Sequence, residues 1–190
     1  METKHTGNTF KTHLVWAFLL VASSGFAFYG GYELRHYLHF GRTEYTVRCT
    51  RVIDGDTIEI VGLLDGEPMR VRILGIDAFE IRMNRKLREQ AQEFGLTPER
   101  AHELGLYAKK TAERNLLNKD IVLRFEGNRI EYDNFGRLLA YVYVDGVDFG
   151  KFLLKNGLAY TRTEDHVRNR YYEMSTLQAQ RARAGIFSGG

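Results

Sequence analysis

Short segments in which apolar and polar residues alternate predict that the middle of this chain is built from β-strands. The alternation has the two-residue period of a strand with one buried face. Turn signals such as Asp54-Gly55 and Asp145-Gly146 separate the segments. Tyr45–Ile53 alternates loosely, and Met69–Ile76 is rich in Val, Ile and Leu. The five predicted strands are Tyr45–Ile53, Thr57–Val61, Met69–Ile76, Ile121–Phe125 and Leu138–Val144.

Three other segments predict helices. Arg82–Leu117 lacks strand periodicity and is rich in good helix formers, and Thr97-Pro98 predicts a new helix start inside it. Val147–Asn156 and His166–Ala184 are each followed by a glycine, which is common just beyond a helix. Short strands with helices inserted late predict a small closed barrel with flanking helices. The predicted inner face of the helix that starts near Pro98 consists of Leu104, Ala108, Thr111, Ala112 and Leu116.

The first part of the chain has a different character. Residues 14–32 form a run of nineteen residues without a charged side chain, which at about 1.5 Å per residue crosses a bilayer core of about 30 Å. We expect an uncleaved transmembrane signal anchor. The alternative is a cleaved signal peptide, with Gly25-Phe26-Ala27 as the cleavage site and a secreted product. The predicted organisation is a tail (1–13), an anchor (14–32), a linker (33–43) and a folded domain (44–190).

The charges around this run favour one orientation. Lys11 precedes the run, whereas Glu33 and Arg35 offset each other after it. The tendency of positive charge to stay inside favours a cytoplasmic N-terminus. The folded domain is then expected on the non-cytoplasmic side of a single-pass membrane protein.

The composition fits one domain with an appendage but does not identify a partner. The 190 residues are 44% hydrophobic, and the net charge of +3 is too small to indicate nucleic-acid binding through bulk charge. Cys49 is the only cysteine, so no intrachain disulfide can form. His36 and His39 have no second ligand pair at zinc spacing, and no glycine-rich phosphate loop occurs. Zinc and nucleotide-hydrolase sites are therefore disfavoured.

Three acids and two arginines stand at the edges of the predicted strands. Carboxylates are hard oxygen ligands for a divalent cation, and a third one can orient a water molecule. A planar guanidinium binds phosphate through two parallel hydrogen bonds. Alone, each residue would be read as part of a turn or a solvated loop, but the set predicts a site that cleaves phosphodiesters. The residues are Asp56, Asp77, Glu80, Arg72 and Arg137.

The sequence around these residues resembles the staphylococcal nuclease (thermonuclease) family, in matching order over roughly residues 45–188. The phrases that carry the resemblance are Val52-Ile53-Asp54-Gly55-Asp56-Thr57, Arg70-Val71-Arg72-Ile73-Leu74-Gly75-Ile76-Asp77-Ala78-Phe79-Glu80, Asp133-Asn134-Phe135-Gly136-Arg137-Leu138-Leu139-Ala140-Tyr141-Val142, Asn156-Gly157-Leu158-Ala159, Gln178-Ala179-Gln180 and Gly185-Ile186-Phe187.

The resemblance implies a mainly β fold with α-helices: a five-stranded OB-type barrel with about three helices, here preceded by one transmembrane helix. It implies that Asp56, Asp77 and the Ala78 carbonyl bind Ca²⁺. It further implies that Arg72 and Arg137 clamp the phosphate, with Arg137 also assisting the leaving oxygen. In the same comparison Glu80 orients or deprotonates the attacking water.

Three departures from the family pattern change what we expect. Phe79 stands where the family has proline, which predicts a looser loop around Glu80. The stretch Ile81–Glu103 is longer than in the secreted type member, and Phe135 replaces a tyrosine beside Arg137. The longer stretch carries four cations that either contact the substrate backbone or form a solvated helix face: Arg82, Arg85, Lys86 and Arg88.

The sequence therefore predicts a membrane-tethered, calcium-dependent nuclease that hydrolyses DNA, RNA or both with little sequence specificity. No feature indicates an obligate protein partner. The alternative is a non-catalytic OB-type module that binds single strands or a protein. Replacing Asp56, Arg72 or Arg137 by alanine is expected to remove most activity without unfolding the domain.

Overall fold

The structure is a computed structural model that describes residues 44–63, 66–127, 129–162 and 168–188. The strands are β1 (Glu44–Val52), β2 (Thr57–Val61), β3 (Met69–Ile73), β4 (Ile76–Asp77), β5 (Asp120–Arg124), β6 (Glu131–Tyr132), β7 (Leu138–Val144), β8 (Val147–Asp148) and β9 (Tyr160–Thr161). The helices are α1 (Arg85–Glu93), α2 (Pro98–Leu116), α3 (Phe149–Lys155) and α4 (Asn169–Arg181), followed by a 3₁₀ turn at Gly185–Phe187.

Five strands close into a barrel, as predicted. They lie in the order β3-β2-β1-β5-β7, with antiparallel neighbours. The barrel closes because β3 also pairs with β7 in a parallel register that sets Arg72 opposite Leu139. Their alternating burial places apolar side chains inside, and β7, for example, buries five of its seven residues.

The predicted strand Met69–Ile76 is shorter than expected. It ends at Ile73 because the chain turns at Leu74-Gly75, where Gly75 has a φ of 80°. After the turn, Ile76 and Asp77 form β4, which leaves the barrel and pairs with β9. In this pairing Asp77 lies opposite Tyr160. The glycine turn thus separates Arg72 from Asp77 in the backbone while keeping them close in space.

The described residues contain four helices rather than about three. The segment Arg82–Leu117 is two helices, α1 and α2, because Gly95 adopts a φ of 65° between them. Asn84 caps α1 by accepting from the Leu87 N–H, and Thr97 caps α2, which begins at Pro98. Two later predictions also change, since Val147–Asp148 is a strand and the last helix begins at Asn169. The predicted inner face of α2 is confirmed, because all five of its residues are buried.

A second, smaller core packs α1 against α2 beside the barrel. It contains Phe79, Leu87, Ala101 and Leu104. Helix α2 approaches the chain after β4 closely, since a Cβ at Gly105 would lie 2.7 Å from the carbonyl oxygens of both Phe79 and Glu80. This close approach fixes the loop that carries Glu80 against the helix.

The predicted tail, anchor and linker, residues 1–43, lie outside the described residues. The transmembrane segment 14–32 therefore stays a prediction. Within the described ranges, no helix combines the length and apolar character needed to span a membrane. Residues Thr43–Gly190 form one compact unit by themselves.

Candidate active site

Arg72 is the centre of a buried cluster at the end of β3. Its guanidinium donates from Nη1 to Asp56 Oδ1, and from Nη2 to Asp77 Oδ1 at 2.6 Å. Nη2 also donates to the Ile76 carbonyl oxygen at 3.0 Å. The Arg72 side chain is only 8% exposed, and the two carboxylates are 3% and 8% exposed. One cation therefore faces two acids in a site from which water is largely excluded.

Asp56 is held between β2 and the chain after β4. Its Oδ1 accepts from Thr57 Oγ1 at 3.0 Å, and its Oδ2 accepts from the Ala78 N–H at 2.6 Å. Burial raises the pKa of Asp56 to about 7, while the positive charge of Arg72 acts in the opposite direction. A second positive charge near the Asp56 carboxylate would therefore stabilise its ionised form.

Asp77 has more donors around it. Its Oδ2 accepts from the Tyr160 hydroxyl at 2.9 Å, and the Lys86 ammonium lies 3.7 Å from its Oδ1. Burial acts to raise the pKa of Asp77, but the charges of Arg72 and Lys86 outweigh it and lower the pKa below its ordinary value. The two acids thus have opposite pKa shifts: burial and the like charges of Asp54 and Asp77 raise the pKa of Asp56, whereas Asp77 has Lys86 as a second nearby cation.

Arg137 belongs to the same site through Thr57. Its Nη1 donates to Thr57 Oγ1 at 3.3 Å, and the Thr57 hydroxyl in turn donates to Asp56. Asp133 holds the other edge of the guanidinium, accepting from Nε at 2.7 Å and pairing with Nη2 at 2.6 Å. A continuous chain of hydrogen bonds thus runs from Arg137 through Thr57 and Asp56 to Arg72 and Asp77. It joins both predicted arginines and the two acids predicted to bind the metal ion.

Glu80 lies beside the cluster and pairs with a cation of α1. Its Oε1 is 2.7 Å from the Lys86 Nζ, and its side chain is 27% exposed. The expectation of a looser loop at Phe79 was wrong. Phe79 is 1% exposed and packs against Phe94 and Tyr160, with ring centroids 5.6 and 5.9 Å away. The aromatic ring therefore anchors the loop in the second core, in the place of the conformational restriction that proline would supply.

The oxygen atoms around Arg72 fit a hard divalent cation. Asp56 and Asp77 present carboxylate oxygens to the same guanidinium, and such oxygens are the ligands that Ca²⁺ prefers. The Ala78 carbonyl already accepts from Gln90 Nε2 at 3.1 Å, which leaves one of its lone pairs. Among the described residues no group of three or more acidic, histidine or cysteine side chains converges. A cation here would take its remaining ligands from water or substrate.

Several contacts at this site were not anticipated from the sequence. Asp133 was part of the quoted motif, and its spacing four residues before Arg137 could have indicated the pairing. Tyr160 gave no such signal, because it lies 83 positions after Asp77. Gln90 lies only 13 positions after Asp77, but nothing in the sequence of α1 marks it as buried. Thr57 and Lys86 were visible in the sequence, but only the folded structure shows which acids they contact.

With this geometry in hand, comparison with known proteins identifies the family. Residues 70–189 match the family described as Staphylococcal nuclease homologue, which is more than half of the chain. The chain belongs to the staphylococcal nuclease family. The family assignment supports the fold and a nuclease activity, and it covers Arg72, Asp77, Ala78, Glu80 and Arg137.

Two of the similar proteins carry nuclease names. "Thermonuclease" of Staphylococcus hyicus is 31% identical over 150 residues, covering 76% of this chain and 77% of the relative. "Endonuclease YncB" of Bacillus subtilis is 32% identical over 143 residues, covering 75% of this chain and 60% of the relative. A protein of Methanocaldococcus jannaschii, "Uncharacterized protein MJ1439", is 31% identical over 150 residues and covers 72% of this chain and 69% of its own length.

Arg72→Ala was expected to remove activity without unfolding the domain, but the buried contacts of Arg72 predict that this change also lowers stability. Changing Arg72→Ala leaves two buried carboxylates without their common cation, so we expect the free energy of unfolding to fall by about 3–5 kcal/mol. The loss should be largest above neutral pH and shrink on acidification, because protonation then neutralises the two acids. Urea denaturation at several pH values measures it. Arg70→Ala is the matched control, since Arg70 is exposed on the same strand; equal losses in the two variants would contradict the prediction.

Asp133 offers a cleaner test of how Arg137 is held. In Asp133→Asn the remaining oxygen still accepts from the backbone N–H groups of Phe135 and Arg137, but the amide cannot accept from the guanidinium. We expect kcat/KM to fall about tenfold or more because Arg137 loses its orientation, with little loss of stability. Single-turnover cleavage measures this, beside Asp120→Asn as an exposed control on β5. Equal cleavage by the two variants would refute the role of Asp133.

Proposed function

We propose that this protein is a calcium-dependent nuclease that hydrolyses phosphodiester bonds in DNA, RNA or both with little sequence specificity. One observation carries the proposal. Two arginines and two buried carboxylates are connected through Thr57 into a single cluster beside Glu80. A phosphodiester needs positive charge where its oxygens gain negative charge and an oriented water for attack, and this cluster supplies the groups for both.

Asp56, Asp77 and the Ala78 carbonyl would hold Ca²⁺, which when bound supplies positive charge to a phosphate oxygen. Arg72 would bind a phosphate oxygen by exchanging one of its two carboxylate contacts for it. Its fork geometry allows this exchange without loss of the second contact. The backbone position of Arg72 stays fixed, because β3 is paired on both sides within the barrel.

Arg137 supplies the second clamp. Its guanidinium is 22% exposed, so it reaches solvent while Asp133 fixes its orientation. The hydrogen bonds from Arg137 lower the pKa of Asp133 against the effect of its burial, so the acid stays charged. A held, charged guanidinium can stabilise the pentacoordinate phosphorus and the departing oxygen. By family analogy the product carries a 3′-phosphate.

Glu80 would orient or deprotonate the attacking water. In the structure its carboxylate pairs with Lys86, which belongs to α1. Substrate phosphate competes for this ammonium, and Glu80 then becomes available to water. In the free protein, Glu80 and Lys86 thus compensate each other's charge.

Two further features support a polynucleotide substrate. Phe135 is 83% exposed, and the Arg137 guanidinium lies 5.5 Å from its ring centroid, so an aromatic face stands beside the phosphate clamp. A base can stack on such a face whatever its identity. Arg82 and Arg88 are exposed around α1 and can contact the phosphate backbone. These contacts do not read sequence.

Digestion by the purified full-length protein in detergent tests the function. With calcium we expect cleavage of plasmid DNA, heat-denatured DNA and RNA, and with a calcium chelator we expect none. Arg137→Ala and Asp56→Ala should each lower cleavage about 100-fold or more, whereas Arg70→Ala should not. Near-wild-type cleavage by Arg137→Ala would sink the site assignment. Chelator-insensitive binding without cleavage would instead favour a non-catalytic binding module.

We also propose that residues 14–32 tether the domain to a membrane, with residues 44–190 on its non-cytoplasmic side. The uncharged run and the flanking Lys11 support this, and millimolar calcium is more readily available there. We expect the protein to remain in the membrane pellet after alkaline extraction and a tag placed after Gly190 to be cut by protease added outside. The same tagged chain without residues 14–32 is the control. If the tag on the full-length protein is cut only after lysis, the orientation is the reverse of the proposed one. If the full-length protein is recovered in the soluble fraction, the tether is excluded.

A further inference from the structure

A buried glutamine of α1 contacts the loop that carries the candidate metal ligands. Gln90 is 4% exposed. Three residues of α1 are buried, and Gln90 is the polar one among them. Its Nε2 lies 3.1 Å from the Ala78 carbonyl oxygen and 2.8 Å from the Tyr160 hydroxyl. Its Oε1 accepts from the Glu80 N–H at 2.9 Å. One amide thus contacts the backbone on both sides of Phe79.

The hydrogens of this network can be assigned in one consistent way. The two hydrogens of the Gln90 amide go to the nearer acceptors, Ala78 and Tyr160, while Asp77 Oδ2 lies at 3.5 Å from Nε2. The Tyr160 hydroxyl then donates to Asp77 Oδ2 at 2.9 Å. A flipped amide would set its oxygen against the Ala78 carbonyl and its N–H against the Glu80 N–H. Both contacts would be repulsive, so the amide has a single satisfied orientation.

Tyr160 completes the network from the other side of the loop. It lies opposite Asp77 in the β4–β9 pairing, and its ring packs against Phe94 and Phe79 at centroid distances of 4.7 and 5.9 Å. Its hydroxyl fixes the rotation of the Asp77 carboxylate, because Arg72 holds the other oxygen. The orientation of this carboxylate is therefore set by Arg72 of β3, which belongs to the barrel, and by Tyr160 of β9, which does not.

We propose that Gln90 and Tyr160 are positioning residues that set the geometry of the cation site from outside the barrel. Between them they hold the Asp77 carboxylate, the Ala78 carbonyl and the backbone of Glu80. These are the groups that the proposed calcium-dependent nuclease uses, and the inference rests on that proposed function. Outer hydrogen-bond partners of metal ligands typically change metal affinity by about 10–100-fold when they are removed. Gln90 and Tyr160 occupy that place here.

Tyr160→Phe is the decisive variant, because it removes the hydroxyl and keeps the aromatic packing. We expect the affinity of the full-length protein for Ca²⁺ to fall about tenfold, measured by isothermal titration calorimetry in detergent. The melting temperature without calcium should fall modestly, because Asp77 and Gln90 each lose a buried hydrogen-bond partner. A merely structural residue would lower the melting temperature and leave the affinity for calcium unchanged.

Gln90→Ala provides a second arm, with Gln92→Ala as an exposed control on the same helix. The double variant of Gln90 and Tyr160 should lose much less affinity than the sum of the two single losses, because both residues act through one hydrogen-bonded chain. If Gln90→Ala does not fold, Tyr160→Phe still decides the question.

The outcomes separate this inference from the proposed function. The inference alone would be overturned if wild-type protein binds calcium and cleaves DNA while the Tyr160→Phe variant binds calcium with an affinity within twofold of wild type. Wild-type protein that neither binds calcium nor cleaves would overturn the proposed function and the inference together.

Discussion

The structure around the candidate site depends on a single buried guanidinium. Arg72 forms salt bridges with both Asp56 and Asp77. Among the described residues, the one other cation within salt-bridge distance of either acid is Lys86, which lies beside Asp77. Removing two carboxylates from water is costly unless a positive charge accompanies them. Arg72 meets that requirement for the fold while standing where a phosphate clamp is needed. The demands of stability and of chemistry therefore fall on the same side chain, and they cannot be separated by simple deletion.

The second core explains how a short loop keeps its shape without proline. Phe79 is buried between α1, α2 and β9, and Gly105 lets α2 approach the carbonyl oxygens of Phe79 and Glu80. Hydrophobic burial on one side of the loop is combined with the Gln90 amide on the other. The helices of this region therefore belong to the support of the candidate site as much as to the covering of the barrel.

Local sequence patterns anticipated much of the barrel, and the reasons are physical. Thr57–Val61 and Leu138–Val144 coincide with β2 and β7, because short runs rich in β-branched, aromatic and other apolar residues between turn signals favour strands. Met69–Ile76 was predicted as one strand since its apolar residues hide the turn at Gly75. The site residues were found by the chemistry of acids and arginines beside strands. Tyr160 was not, because its contact with Asp77 spans 83 positions and leaves no local trace.

The parallel pairing of β3 with β7 has a consequence for when the protein can act. It sets Arg72 beside Leu139, so the last strand of the barrel must arrive before the arginine clamps share one site. Tyr160 and β9 come later still in the chain. A partly synthesised chain therefore carries the acids and Arg72 but not their assembled arrangement. Assembly of the candidate site therefore waits until both β7 and β9 have been synthesised.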